Sequence, residues 1–331
     1  MEIVMHLKLV GWLGVLALLV CSTGCGSPLV TAPPATVSHS MGSTVSPPLA
    51  EPTAAPVLPS PSSTPEPPLA VRVNGQPIYL ADYERRLGQY EAALAAQGID
   101  PGSAEGQEKL AQRRDWILNV MIEQVLTEQA AGAAGVIVTD EGVDAYLHDM
   151  IAEVGGDEAF EAMLEEWGQT REEAREELRV ELIGGEMARR ITDAVPETAE
   201  HVRARHILVD TMEKANHILA QLQASADFAA LARAHSLDVS TRDNGGDLGF
   251  FPRGVLVAPE VERAAFDLQP GQFSGVVTSV LGYHIVQVVE RDPARPLSEE
   301  NRNILKERAL AEWVEQLWLE ADIQRFVETE S

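Results

Sequence analysis

Apolar positions recur with a helical period through most of residues 70–195. Leu80, Tyr83, Leu87, Tyr90 and Leu94 stand three or four apart, which puts them on one face of a helix. Leu110, Ile117, Leu118, Met121, Ile122 and Val125 repeat the pattern on a longer helix. Thr139 predicts the start of a third, and Thr170-Arg-Glu-Glu173 reads as a capping box ahead of Ala174, Leu178 and Leu182. Gly98, Gly135, Gly155-Gly156 and Gly168 separate these elements. Before them, Leu69–Ile78 reads as a short strand with an Asn-Gly turn signal. The expectation for 70–195 is therefore one small strand and about five helices. Ser298–Thr329 is helical again, capped by Ser298. Its Trp313 and Trp318 require a partner surface, and the N-terminal helices are the expected one.

Between Pro196 and Pro293 the pattern changes to a compact alternation of strands and short helices. Arg203–Val209 reads as a strand on which Ala204, His206 and Leu208 share a face. Ala215–Leu222 and Phe228–Ala234 read as short helices, and another ends near Phe266. Phe273–Val277 and Gly282–Val288 complete the set as strands, with His284 on the face of Val286 and Val288. Two histidines thus occupy inward positions on separate strands. Alone, such residues are hydrogen-bonded core histidines more often than catalysts. A metal site lacks support, because no close His/Cys/Asp spacing accompanies them. Neither a Gly-x-Ser-x-Gly elbow nor a P-loop is present.

The N-terminus adds an address. Leu9–Val20 is an apolar run behind Lys8, too short to span a bilayer comfortably and suited to an export signal over residues 1–24. Residues 26–69 hold 12 of the 20 prolines and only two charges, so 25–69 reads as an extended tether without a core. The net charge of −26 is uneven: residues 70–197 carry 11 basic and 27 acidic side chains, residues 199–291 only 8 and 11. That balance argues against nucleic acid as a partner.

Ser22-Thr23-Gly24-Cys25 resembles the lipobox of bacterial lipoproteins, with Ser22 where Leu is usual. The resemblance implies that Cys25 is lipidated, anchoring the protein to the cell membrane on its outer side. Simple secretion is the alternative. With Cys25 carrying lipid, no second cysteine remains for a disulfide.

His206-Ile-Leu-Val, Phe228-Ala-Ala-Leu-Ala, Ser236-x-Asp238, Gly245-Gly-Asp-Leu-Gly, Arg253-Gly, Ala265-Phe266, Pro270-Gly and Gly282-Tyr-His-Ile occur in this order. Together they resemble parvulin-type peptidyl-prolyl cis-trans isomerases across the whole module, while the flanking helices and the lipobox are similar in layout to the PrsA foldases and their relative SurA. The resemblance implies an α+β fold: a four-stranded antiparallel parvulin-like domain (198–292) inserted in a mainly helical SurA-N/PrsA-like chaperone domain (70–197), with a C-terminal helix (293–331) packing back. It implies catalytic roles for His206, Asp238 and His284. It implies a proline-binding wall of Leu248, Phe251, Leu256, Val261 and Phe266, with Ser279 beside the second histidine. Val261 stands where many active members place Phe, Leu256 replaces a frequent Met, and one extra residue separates Leu256 from Phe266. Asp210 replaces the basic residue of phosphate-reading members.

The implied function is isomerisation of X–Pro bonds in unfolded or partly folded exported polypeptides, without cofactor or metal. The runner-up is a weak or inactive holdase that uses the parvulin module as a scaffold. A solute-binding lipoprotein would suit the anchor but not the module.

Overall fold

The computed structural model describes residues 67–327. The expected signal segment, Cys25 and nearly all of the tether lie outside them. The chain enters as a hairpin, β1 (Leu69–Val73) and β2 (Gln76–Tyr79), turning at Asn74-Gly75. The sequence pattern suggested one strand here; the turn residues fold it back on itself. Five helices follow: α1 (Leu80–Ala96), α2 (Ala104–Ala133), α3 (Asp140–Glu153), α4 (Asp157–Glu166) and α5 (Arg171–Asp193). The Thr139 hydroxyl caps α3, and Thr170 and Glu173 form the capping box of α5, satisfying backbone N–H groups that have no partner within the helix. None of the helices among the described residues is long and apolar enough to cross a membrane.

The helical body has two cores. Val71, Val73, Tyr83, Leu118 and Ile122 centre the first, between the hairpin, α1 and α2. Val143, Phe160, Leu164 and Leu178 form the second, among α3, α4 and α5. After an excursion through the inserted module the chain returns as α9 (Glu299–Glu320), capped by Ser298. Leu317 and Trp318 pack on the first core, and Trp318 Nε1 donates to Glu123 at 3.1 Å. Trp313 is half-buried and does not join that core. The chain then adds β7 (Ile323–Arg325) to β1, a strand the hydrophobic pattern does not announce.

The inserted module is an antiparallel sheet in the order β4-β3-β6-β5, made of β3 (Thr198–Val209), β4 (Asp247–Pro252), β5 (Val277–Ser279) and β6 (Gly282–Pro296). Helices α6 (Met212–Gln223) and α7 (Phe228–His235) cover one face over Ile207, Val209 and Ile285. Helix α8 (Pro259–Asp267) covers the other, over Val202, Ala204, Val286 and Val288. On the face that α8 covers, the inward apolar positions Val202, Ala204, Val286 and Val288 are continued by His206 and His284.

Two boundaries depart from the expectation. A strand over 273–277 is replaced by an isolated bridge at Phe273 and a short β5 beginning at Val277. The cause is Ser274, whose hydroxyl accepts the Val286 N–H at 3.0 Å in place of a backbone carbonyl. Strands β3 and β6 also run past 203 and 288, pairing as a ribbon from Thr198↔Pro296 inward that joins the module to the helical body.

Candidate active site

His206 and His284 lie on adjacent central strands, in positions that point to the same face. Their rings stack with centroids 5.4 Å apart, and the Nδ1 atoms approach to 3.2 Å. Both are buried, His284 to 1% exposure. On the outer side, His206 Nε2 stands 2.7 Å from Asp238 Oδ2, and on the inner side His284 Nε2 stands 2.8 Å from Ser279 Oγ. The four residues form one hydrogen-bonded chain, from the loop after α7 across the sheet to the β5–β6 turn.

Local structure holds each end. Ser236, at the end of α7, accepts the Leu208 N–H and the Asp238 N–H on its hydroxyl, fixing the Asp238 loop to β3. Asp238 accepts the Ser240 N–H at 3.0 Å, the Ser240 hydroxyl at 2.6 Å and the Thr241 hydroxyl at 2.5 Å. Gly246 is required beneath: its φ is +83°, and a Cβ there would lie 2.1 Å from the His206 carbonyl oxygen. Its own carbonyl accepts the His206 N–H at 2.9 Å. Asp247 accepts from Arg203 at 2.6 Å and from the Gly249 N–H at 3.0 Å, pinning the Gly-Asp-Leu-Gly turn to β3.

The electrostatics decide how protons are arranged. Burial pushes the Asp238 carboxyl up, but the hydrogen bonds from Ser240, Thr241 and His206 outweigh it and hold the group well below the usual carboxylate range. Asp238 is therefore an ionised acceptor, and His206 donates to it from Nε2. Burial, and after it the neighbouring His206, lowers His284 to about 4. A neutral His284 carries one N–H. When His206 holds only its Nε2 proton, His284 must donate from Nδ1 and accept the Ser279 hydroxyl proton on Nε2. Every member then has a partner, and the Ser279 oxygen still accepts the Leu281 N–H at 3.0 Å.

The five residues expected as a proline-binding wall gather in one cluster with α8, but at different depths. Phe251, Val261 and Phe266 are 3%, 2% and 4% exposed, whereas Leu248 and Leu256 are half-buried at its edge. Phe251 and Phe266 meet edge to face at 6.1 Å, and the Arg253 guanidinium lies 4.0 Å over the Phe266 ring. Val261 is a filled core position, so its smaller size does not open a hollow. Sequence reading missed Thr241 and Ser240. The hydroxyl residues two and three places after Asp238 are the available signal, since that spacing folds a side-chain-bonded turn.

Comparison with known proteins bears on the family of the chain. The PPIC-type PPIase domain family matches residues 194–290, and the SurA-like N-terminal domain family matches residues 59–188. The foldase protein PrsA of Caldanaerobacter subterraneus subsp. tengcongensis is 31% identical over 278 residues, covering 77% of this chain and 86% of that protein. The chain belongs to the PrsA foldase family. It is a parvulin-type peptidyl-prolyl cis-trans isomerase. The PrsA foldase of Halalkalibacterium halodurans is 32% identical over 256 residues, covering 70% of this chain and 76% of its own. Among solved structures, the PrsA peptidylprolyl isomerase from Bacillus cereus aligns at 25% identity with a TM-score of 0.44, over 76% of this chain and 89% of that one.

Proposed function

We propose that isomerisation takes place at the outer end of the Asp238–His206–His284–Ser279 chain, on non-phosphorylated X–Pro bonds of exported polypeptides outside the cytoplasm. We further propose that Cys25 carries a lipid anchor there, with the proline-rich segment as a tether. The observation that carries the reading of the site is the partly exposed, ionised Asp238, held at 2.7 Å by a buried histidine pair.

The chemistry follows from amide resonance. A planar X–Pro amide places partial negative charge on its oxygen, and the barrier to rotation is about 18–20 kcal/mol. Twisting the bond removes that charge. A fixed carboxylate near the oxygen therefore disfavours the planar forms relative to the twisted one, and differential stabilisation is what accelerates a reaction. A thousandfold gain needs about 4 kcal/mol. The network supplies the fixity, because each polar group has a partner and Asp238 cannot turn away. Leu248 and Leu256 offer an apolar edge for the ring. Selection against phosphorylated substrates rests on Asp210, which directly follows β3 and engages Lys214 at 2.8 and 3.0 Å.

Asp238→Ala tests the assignment. Exchange of a non-phosphorylated X–Pro peptide, followed by NMR, should fall at least about tenfold in kcat/KM, the effect of about 1.4 kcal/mol. Amide exchange in β3 and β6 should stay protected. Unchanged kcat/KM in a folded variant would remove Asp238 from the mechanism.

A further inference from the structure

Glu262 is a buried carboxylate, 9% exposed, that none of the roles above uses. It sits on α8 with its two oxygens turned toward three successive backbone N–H groups of the loop after β4. Glu262 Oε1 accepts Gly254 at 2.8 Å, and Oε2 accepts Val255 at 3.2 Å and Leu256 at 3.3 Å. This loop carries Leu256, the half-buried edge of the proline wall. No regular element spans residues 253–258, so the carboxylate takes the place of a ladder.

The opposite side of the loop is held from outside the isomerase module. Gly254 has φ +91°, and a Cβ there would meet Leu305 Cδ2 at 2.9 Å and Arg308 Nη1 at 3.3 Å. Both residues belong to α9, which packs on the helical body through Leu317 and Trp318 and lies beyond the matched isomerase domain, which ends at 290. The Gly254 backbone thus lies against the ends of the Leu305 and Arg308 side chains, in a left-handed conformation that glycine accepts without strain.

We infer that Glu262 is the positioning residue of the substrate-facing loop 253–257, and that α9 clamps the same loop from the helical body, so that the pocket edge is completed by both domains. The inference rests on the isomerase reading of the site. Hydrogen bonds from three amides to one carboxylate fix the loop more firmly than apolar contact alone, and Leu256 is held relative to Phe266 because Glu262 and Phe266 share one helix. The helical body thereby touches the part of the isomerase that grips substrate. An isolated 198–292 fragment lacks half of the clamp.

The test uses the intact chain with Glu262→Gln, Leu305→Ala and, as a control elsewhere on α9, Val314→Ala. Hydrogen exchange at the Val255 and Leu256 amides should accelerate about tenfold or more in Glu262→Gln, with β3 and β6 amides unchanged. For an X–Pro peptide, both Glu262→Gln and Leu305→Ala should raise KM several-fold while kcat stays within about twofold. Val314→Ala should leave KM unaltered. Unchanged loop exchange in Glu262→Gln would overturn the inference, as would a KM shift in Val314→Ala equal to that in Leu305→Ala. Absence of turnover in the unmodified chain would count against the isomerase site, whereas loop exchange and the Kd of the peptide still decide the role of Glu262.

Discussion

His284→Gln separates the histidine pair's electrostatic contribution from its packing. In the folded chain His284 is lowered to about 4 from an ordinary 6.5. The unfolded chain therefore binds more protons than the folded one between those values, and stability must rise with pH across that window. Acidification from neutrality should cost about 2 kcal/mol by pH 5 and about 3 kcal/mol by pH 4, with a slope approaching 1.4 kcal/mol per pH unit. Asp238 acts in the same direction at lower pH. Its depressed carboxyl contributes stability that is present above the ordinary carboxylate range and is lost as pH falls through the folded value. Between pH 4.5 and 7 the difference between the unmodified chain and His284→Gln separates His284 from groups common to both, among them Glu128 and Glu181, which burial raises.

Glutamine at 284 removes the titrating group and leaves imperfect partners for His206 Nδ1 and Ser279 Oγ, which costs about 1–3 kcal/mol at neutral pH. The variant should be less stable at pH 7 but flatter toward acid, so that the two curves approach or cross between about pH 4.5 and 5. Tryptophan fluorescence is unsuited to this assay, because all five tryptophans lie outside residues 198–292. Opening free energies from the slowest amides of β3 and β6, corrected for intrinsic exchange, report on the right module. A flat profile for the unmodified chain, or an equal slope in His284→Gln, would refute the burial-driven depression.

Val261→Phe should destabilise the module by about 1–3 kcal/mol, since Val261 is 2% exposed in a filled cluster and overpacking strains neighbours; thermal unfolding of the sheet, with kcat/KM in parallel, checks this. A gain in activity without loss of stability would show that the position opens to substrate. Cys25→Ser should move the protein from membrane to soluble fractions, and intact-mass measurement of the unmodified protein should find acyl chains on an N-terminal cysteine; an unacylated native chain would exclude the anchor.

Much of the fold was legible because local chemistry dictates it. Thr139, Thr170 and Ser298 each cap a helix where the spacing of apolar residues begins. The two-residue period of Ala204-x-His206 and His284-x-Val286 puts both histidines on one face, and the strands bring them together. The outer ribbon of β3 and β6 was hidden because it follows neither cue. Its residues are mostly exposed, and Pro293 argues against a strand. The register shift between Ala199 and His201 accommodates it: His201 pairs with Asp292 and Ala199 with Arg295, so Pro293 needs no ladder hydrogen bond. Strand β7 is hidden for another reason. Its partner β1 is far away in the chain, and Asn74 receives it through paired bonds with Asp322, at 2.8 Å each, that only the closed fold creates.

The site shows the same division between spacing and closure. Asp238 lies in the loop after α7 and Ser279 at the end of β5, and the parvulin-type resemblance nominates both. That resemblance marks Val261 but not Glu262, and the environment of neither is legible from it, because adjacent residues of one short helix face different demands. On α8, Val261 is directed into the apolar cluster, whereas Glu262 reaches the backbone of a loop that has no side-chain signature of needing it. A carboxylate in this position reads from sequence as one more surface acid of an acidic protein. Its function becomes visible only when three half-buried amides, facing α8 on one side and with Gly254 against α9 side chains on the other, are seen to share this one carboxylate. Without those bonds the half-buried loop would lose the contacts that fix its backbone to α8. The loop's geometry, and with it the edge of the pocket, therefore depends on a residue that substrate need never touch.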